Sequence, residues 1–454
     1  MRVRRCRAEA LPDPRDASHR FATHWRAHAR SDGRSARDVS GRDCRARGRR
    51  SVHVSGPLAG VRVVELCDEL GQLAGKLLAD MGAEVIKVEP PGGSPARAVG
   101  PFVRDIPGPN RSLNFWYHNT NKRSVVLDLE KDDDRENFRK LAARAEIVIE
   151  SQAPGYLSGL GLGFEDLSEG NPGLIMCSIT PFGQDGPWAQ WKSSDLVGLA
   201  LGGPMRMNGY DPEDAPGAPP IRGHGDQGYN TTCHFAAMGI MAALLHRDAT
   251  GEGQYIDCAM HEALSCTVEV GMPYWFYKRL DVIRQTGRHA AHRRTEPWLF
   301  MARDGRHILC FGVGRDNASW AKVKQWYRSE GFGHQFDDPR FDSPQNRQPG
   351  RGNAEAEEIM AETARFIAAH DAEYVYHGGQ ERDQAWGVVR SPDETLGDQH
   401  FWDRGFFVGT RGEGVGEDAV MPGAPYVFSA TPWSLRRPAP MLGEHTAEVL
   451  AEIG

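Results

Sequence analysis

Residues 221–232 read IRGHGDQGYNTT. Asp226 follows Gly225, stands two residues before Gly228, and leads directly into a long apolar run. An ionised carboxylate is a nucleophile toward an activated acyl group when it is held free of a tight solvent cage. Flanking glycines let the backbone approach a ligand closely, and N–H groups near Gly225 and Gly228 could face a developing oxyanion. The same residue types also make a polar surface loop, and the local pattern leaves both readings open.

Other stretches carry weaker chemistry. VELCDELGQLAG sits where a phosphate-binding turn would lie, but it lacks G-x-G-x-x-G. G-x-S-x-G is also absent. Asn121, Lys122 and Arg123 form a basic strand entrance that suits either phosphate or solvent. Eight cysteines are scattered without C-x-x-C pairs, which argues against a zinc site and a disulfide framework and fits a reducing cytoplasm.

Alternating periods supply the elements that must position such groups. In PLAGVRVVELCDELGQLAGKLLADMGAEVIKVEPP (57–91), VRVVEL reads as a buried strand, GQLAGKLLADMG as a helix, and EVIKVE as a second strand. The pattern repeats in SVVLDL (124–129), a charged helix over 131–144, EIVIES (146–151) and LIMCSITPFG (174–183). Such βαβ units predict an open α/β parallel sheet with right-handed crossovers. Residues 234–260 add a mostly apolar helix, a glycine turn and a strand. WLFMARDGRHILCFGV (298–313) reads as a hairpin with an Asp-Gly turn, and 354–370 as an amphipathic helix. PYVFSA (425–430) reads as a strand and EHTAEVLAEIG as a closing helix. The expected divisions are a disordered tail (1–55), a large α/β domain (56–270), a small domain (271–400) and a return to the large domain (401–454).

The 454 residues are 40 % hydrophobic and 25 % charged, ordinary for a soluble enzyme, with no apolar run long enough for a transmembrane helix. The net charge of −7 is uneven. Residues 1–55 hold fifteen arginines, no lysine and six acidic residues, so the tail is near +9 and the rest near −16. An acidic body does not suggest nucleic-acid binding. The tail has too few hydrophobes to fold, and we expect a native start near Val52 or Val54.

Several ordered stretches resemble one family. These are PLAGVRVVEL…LLADMGAEVIKVEPPGGSPAR, NTNKRSVVLDL, ESQAPGYLSGLGLGFEDL, SITPFGQDGP, GDQGYNT…GIMAALLHRDATGEGQYIDCAM and PMLGEHTAEVLAEIG. Together, over about residues 57–454, the chain resembles the class III CoA-transferases, a family that also contains α-methylacyl-CoA racemase. The resemblance implies a Rossmann-like large domain built from both chain ends, a smaller α+β middle domain, and an interlocked homodimer. It implies acyl-CoA and carboxylic acid substrates, coenzyme A as the carried group, no metal and no membrane. Asp226 matches the catalytic aspartate. It would attack the donor thioester, exchange the resulting anhydride for an aspartyl-CoA thioester, and pass CoA to the acceptor carboxylate.

The alternatives are racemisation and CoA binding without turnover. In the racemase branch a histidine precedes the aspartate at the place of Asp195; here Ser194 stands there, which favours transfer. For CoA contacts, the resemblance points to Asp68 and Glu69 after the first strand, Leu127, the stretch Ser151-Gln152-Ala153, Leu160 and Thr180. Arg97, Lys122 and Arg123 are the candidates for the CoA phosphates. The family's glycine-rich lid is not recognisable; GVGRDN (312–317) occupies the comparable region.

Overall fold

A computed structural model describes residues 56–348, 353–410 and 419–454. The arginine-rich segment 1–55, expected to be disordered, lies outside the described residues. The first β-branched run forms β1 (Arg62–Leu66), the helical-period run α1 (Gln72–Asp80), and EVIKVE forms β2 (Glu84–Glu89). A short helix α2 (Leu113–His118) leads into β3 (Lys122–Val126), followed by α3 (Asp132–Ala142), β4 (Ile147–Glu150) and β5 (Ile175–Thr180). Then come α4 (Asp195–Leu201), the long α5 (Gln227–Thr250), β6 (Gln254–Ala259) and α6 (Met260–Ser265).

These six strands form one parallel sheet in the order β3-β2-β1-β4-β5-β6. The chain leaves β3 at one edge and re-enters beside β1, so the topological switch point lies between β1 and β4. In open α/β sheets ligands bind outside the strand C-termini at that point. Side chains alternate along each strand, and the two faces feed two cores. Val63, Ile149 and Cys177 join Leu78, Cys233 and Ile240 on the face covered by α1 and α5. Val64, Ile86 and Val148 join Phe138 and Leu141 of α3 on the other. The last helix, α10 (Thr446–Ile453), adds Val449 and Ile453 to this second core, so the chain end packs on the N-terminal sheet.

A separate core lies farther along. The hairpin β7 (Leu299–Met301) and β8 (His307–Cys310) is joined by β9 (Trp386–Val388) in an antiparallel sheet. Helices α7 (Asn317–Ser329), α8 (Ala354–Ala368) and α9 (Ala372–Gln380) cover it, and Trp320, Trp326, Tyr327 and Phe366 fill the space between. Two expectations are corrected. PYVFSA is not a strand; Val427 is 71 % exposed, and pairing occurs just upstream between β10 (Phe407–Gly409) and β11 (Val420–Pro422). The third sheet strand also begins two residues earlier than SVVLDL, at Lys122, because the sheet holds charged side chains in its interior.

That interior charge is a network. Glu65 on β1 lies 2.7 Å from Lys87 on β2 and 2.7 Å from Lys122 on β3, with all three side chains fully buried. The register sets Glu65 opposite Lys87 across β1 and β2. Lys122 also donates to the Gln72 carbonyl (2.8 Å) and to Asn119 Oδ1 (2.9 Å). Gly75 of α1 is what permits this approach, since a Cβ there would fall 1.8 Å from Glu65 Oε2. Among the described residues, no helix is long and apolar enough to cross a membrane.

Candidate active site

The catalytic candidate sits at the start of α5. Asp226 is the residue before the first helical turn, with φ 52° and ψ 44°. This left-handed conformation is uncommon for a side-chain-bearing residue, though aspartate tolerates it better than most. Such strain clusters at functional sites. Gly225 before it is also left-handed, at φ 83°. In this geometry the Asp226 carboxylate does not cap the helix. It pairs with the Arg222 guanidinium, 3.2 Å away and four residues earlier in sequence. The side chain is 40 % exposed, so the nucleophile candidate is accessible.

Asp195 does the capping instead. It is buried and accepts from the backbone N–H of Gly228 (2.7 Å) and of Tyr229 (3.3 Å). It also binds Arg222 at 2.9 Å, so one arginine bridges the two aspartates. Negative charge at a helix N-terminus is favoured by the orphan amides and the helix dipole. The expectation that the Gly228 N–H faces an oxyanion is therefore corrected: that donor is occupied by Asp195. Gly228 serves this contact, since a Cβ would lie 2.9 Å from Asp195 Oδ1. Ser194, at the place of the racemase histidine, caps α4 by accepting from Val197 N (3.4 Å).

A cleft of about 470 Å³ opens at the C-terminal ends of β1 to β4, where the strand order reverses. Asp68, Leu127, Ser151, Gln152 and Ala153 all line it. The walls are tied together. Ser151 Oγ donates to Asp68 Oδ1 (2.7 Å) and accepts from Asp68 N (2.9 Å), while Gln152 Nε2 donates to the Leu66 carbonyl (2.8 Å). An adjoining cleft of about 270 Å³ shares Asp68, Ser151, Gln152 and Ala153, and adds Glu69, Trp191 and Tyr229. It thus runs from the switch point to the first turn of α5, just beyond Asp226.

The remaining candidates fall elsewhere. Arg97 is buried against Glu89, with Nε 2.6 Å and Nη2 2.8 Å from its two oxygens, and also donates to the Pro109 and Pro440 carbonyls. Lys122 lies in the sheet interior with Glu65. Arg123 is held by Glu84, Glu448 and Glu452. All three cations are engaged in internal ion pairs and line neither cleft, which corrects their reading as phosphate ligands. A basic residue in a strand motif signals its charge but not the partner that the fold brings to it. Leu160 packs against the second core, and Thr180 is buried with its hydroxyl accepting from Gly183 N (2.9 Å).

Two groups escaped the sequence reading. Arg222 had a local signal, its i,i+4 spacing from Asp226. Glu150 opens the E-x-x-x-P-G of ESQAPGYLSGLGLGFEDL, but that motif gives it no role and it reads as the polar end of a strand. It is buried beside the clefts, and burial pushes its carboxyl up to about 7, against the opposing hydrogen bonds from Ser178 and the Gln152 amide. A carboxyl raised in the native state binds its proton more tightly there than in the unfolded chain. Stability is therefore expected to be full below the unfolded value and to fall as pH rises from about 4.5 to about 7. The Glu150 share is on the order of 3 kcal/mol. Denaturant melts of wild type and Glu150→Gln across this range test it. The variant's stability should decline less, and parallel curves would refute the assignment.

The chain belongs to CoA-transferase family III, whose family model matches residues 58–446. It is an enzyme of the CoA-transferase type. It is 35 % identical to a succinyl-CoA:(R)-benzylsuccinate CoA-transferase subunit of Thauera aromatica, over 87 % of this chain and 93 % of that one. It is 34 % identical to a succinate–glutarate CoA-transferase of Agrobacterium fabrum, over 87 % of this chain and 96 % of that one. A CAIB/BAIF family protein from Brucella suis shares the fold, with a TM-score of 0.74 at 27 % identity, over 88 % of this chain and all of that one.

Proposed function

We propose that this protein moves CoA from an acyl-CoA donor, succinyl-CoA being the first choice, to a second carboxylic acid through an aspartyl-CoA thioester on Asp226. The observation that carries this reading is the Asp226 carboxylate itself, which is turned off the helix amides, held by Arg222, and set beside a cleft at the switch point. In the first step a carboxylate oxygen attacks the thioester carbon. The C–S bond breaks, and CoA leaves as the thiolate with the bonding pair. The thiolate then attacks the Asp226 carbonyl carbon of the mixed anhydride and expels the donor acid as its carboxylate. The acceptor carboxylate reverses the sequence, and no net proton is consumed. The relatives whose names pair succinyl-CoA with a second acid support this donor.

The clefts favour an acceptor with an apolar or aromatic arm. Trp191 lines the smaller cleft, stacks on Trp188 at 4.9 Å between ring centroids, and meets the edge of Phe182. Aromatic faces of this kind take apolar substrate groups by offset or edge contact. Asp68, Glu69, Leu127, Ser151, Gln152 and Ala153 are the proposed walls for the CoA moiety and the acyl group. An interlocked homodimer in the cytoplasm is part of the same reading. Met238 and Leu245 on α5 are 57 % and 72 % exposed, an apolar stripe suited to burial against a second copy.

The test is CoA transfer from succinyl-CoA to a panel of acids, followed by chromatography of the CoA esters. Acids with an aromatic or extended apolar arm are expected to accept CoA faster than succinate-sized dicarboxylates. A panel in which only the small dicarboxylates react would reject the apolar acceptor, and no transfer to any acid would reject the function.

A further inference from the structure

Acyl transfer needs hydrogen-bond donors aimed at the oxyanion of each tetrahedral intermediate, and each good donor lowers the barrier substantially in a dry site. The first turn of α5 supplies fewer than its sequence suggests, because Asp195 occupies the Gly228 and Tyr229 amides. Glu69 lines the smaller cleft together with Tyr229 of that turn. Its Oε2 is buried and has no hydrogen-bond partner among the described residues. A buried polar atom without a partner costs about 1–3 kcal/mol, so its persistence calls for an occupant.

We propose that Glu69, as the neutral acid, is a catalytic residue that donates its O–H to the oxyanion formed on the Asp226 carbonyl oxygen whenever CoA or an acyl group is exchanged there. This inference rests on the Asp226 reading above. Asp68 and Glu69 line this cleft, and Asp226 precedes by three residues the Tyr229 that shares it, so ionising all three carboxyls is unfavourable. Burial raises the Glu69 carboxyl above the ordinary range, and the neighbouring Asp68 and Asp226 charges add to it; its own amide and Lys87 pull the other way. Asp68 is committed to Ser151 and the Leu70 amide, and Asp226 to Arg222. Glu69 is thus the member free to keep the proton. In the step itself the nucleophile's electron pair moves onto the carbonyl oxygen, and the Glu69 O–H hydrogen-bonds to that oxygen. The carbonyl then re-forms as the leaving group departs, with the proton still on Glu69.

The chemistry resembles the use of a carboxylic acid kept neutral by its surroundings to hold an oxyanion. It makes two variants behave differently. Glu69→Gln keeps a donor that does not titrate, whereas Glu69→Ala removes the donor.

The experiment measures kcat for CoA transfer against pH in wild type, E69Q, E69A and D226N, with thermal melts as a folding control. Wild-type kcat should decline on the alkaline side as Glu69 ionises. E69Q should retain kcat within about tenfold and lose that decline, and E69A should fall about 10²–10³-fold at every pH. E69Q as inactive as E69A would overturn the proposal, since the ionised carboxylate would then be the working form. E69A with wild-type kcat, or E69Q with an unchanged alkaline decline, would overturn it too. D226N separates the two layers. If it stays active, the Asp226 route itself is wrong; if it is dead while E69A is not, only the role of Glu69 is lost.

Discussion

Asp226→Asn is expected to lower kcat for CoA transfer by about 10⁴-fold or more, with the melting temperature within a few degrees of wild type. Asparagine is the right replacement. It matches the shape of aspartate and tolerates the left-handed backbone that the residue occupies, whereas alanine would add strain. The amide has no anionic oxygen to attack a thioester, so the covalent route is closed. Losing the charge also releases Arg222 from Asp226, but its contact with Asp195 at 2.9 Å keeps the loop in place. A rate loss of this size corresponds to roughly 5.5 kcal/mol of transition-state stabilisation. A loss of only tenfold would reduce Asp226 to a charge that tunes the site.

The second large effect concerns stability. Glu65→Leu leaves Lys87 and Lys122 without their shared carboxylate in the sheet interior. Breaking one partner of a buried ion pair typically destabilises by about 3–5 kcal/mol, because the remaining charge is buried without compensation. Part of that cost is avoidable here. Burial, relieved by Glu65 and reinforced by Lys87, already lowers Lys122 to about 8, so the variant can shed the Lys122 proton. Lys87, which also donates to the Cys67 carbonyl at 2.6 Å, is left with the larger penalty. Urea unfolding of Glu65→Leu should show a loss of about 3 kcal/mol or more near neutral pH. A loss under about 1 kcal/mol would show that the network contributes little beyond its packing.

Much of the fold was legible because it depends on period. β-branched runs such as RVVEL and IVIE have no polar alternative, and the helical spacing of QLAGKLLAD allows one buried face. What period cannot reveal is the partner of a charge. Lys87 stands mid-strand, and Lys122 and Arg123 open one; each finds carboxylates from distant elements, including Glu448 and Glu452 on the last helix. The Lys122-Arg123 strand entrance suits solvent or phosphate when read locally, and the assembled sheet supplies carboxylate partners instead. PYVFSA failed differently. Its alternation suits a strand, but the partner strand lies beside residues 420–422, and the segment runs on unpaired.

The site divides along the same line. Asp226 was visible because a charged residue between glycines at the mouth of an apolar helix is unusual. Asp68, Leu127 and Ser151 to Ala153 converge because each follows a parallel strand, and the switch point gathers strand ends that are far apart in sequence. The roles of Gly228 and Asp195 were not legible. Both depend on a contact across 33 residues that only the folded chain creates.

The most direct measurement is mass spectrometry of the purified protein after incubation with succinyl-CoA and neutral hydroxylamine. Hydroxylamine converts an aspartyl thioester or anhydride to a stable hydroxamate. The expected result is a hydroxamate on the peptide containing Asp226 and none in Asp226→Asn. A protein that transfers CoA while leaving that peptide unmodified, or one that carries the hydroxamate on another residue, would contradict the aspartyl-CoA route.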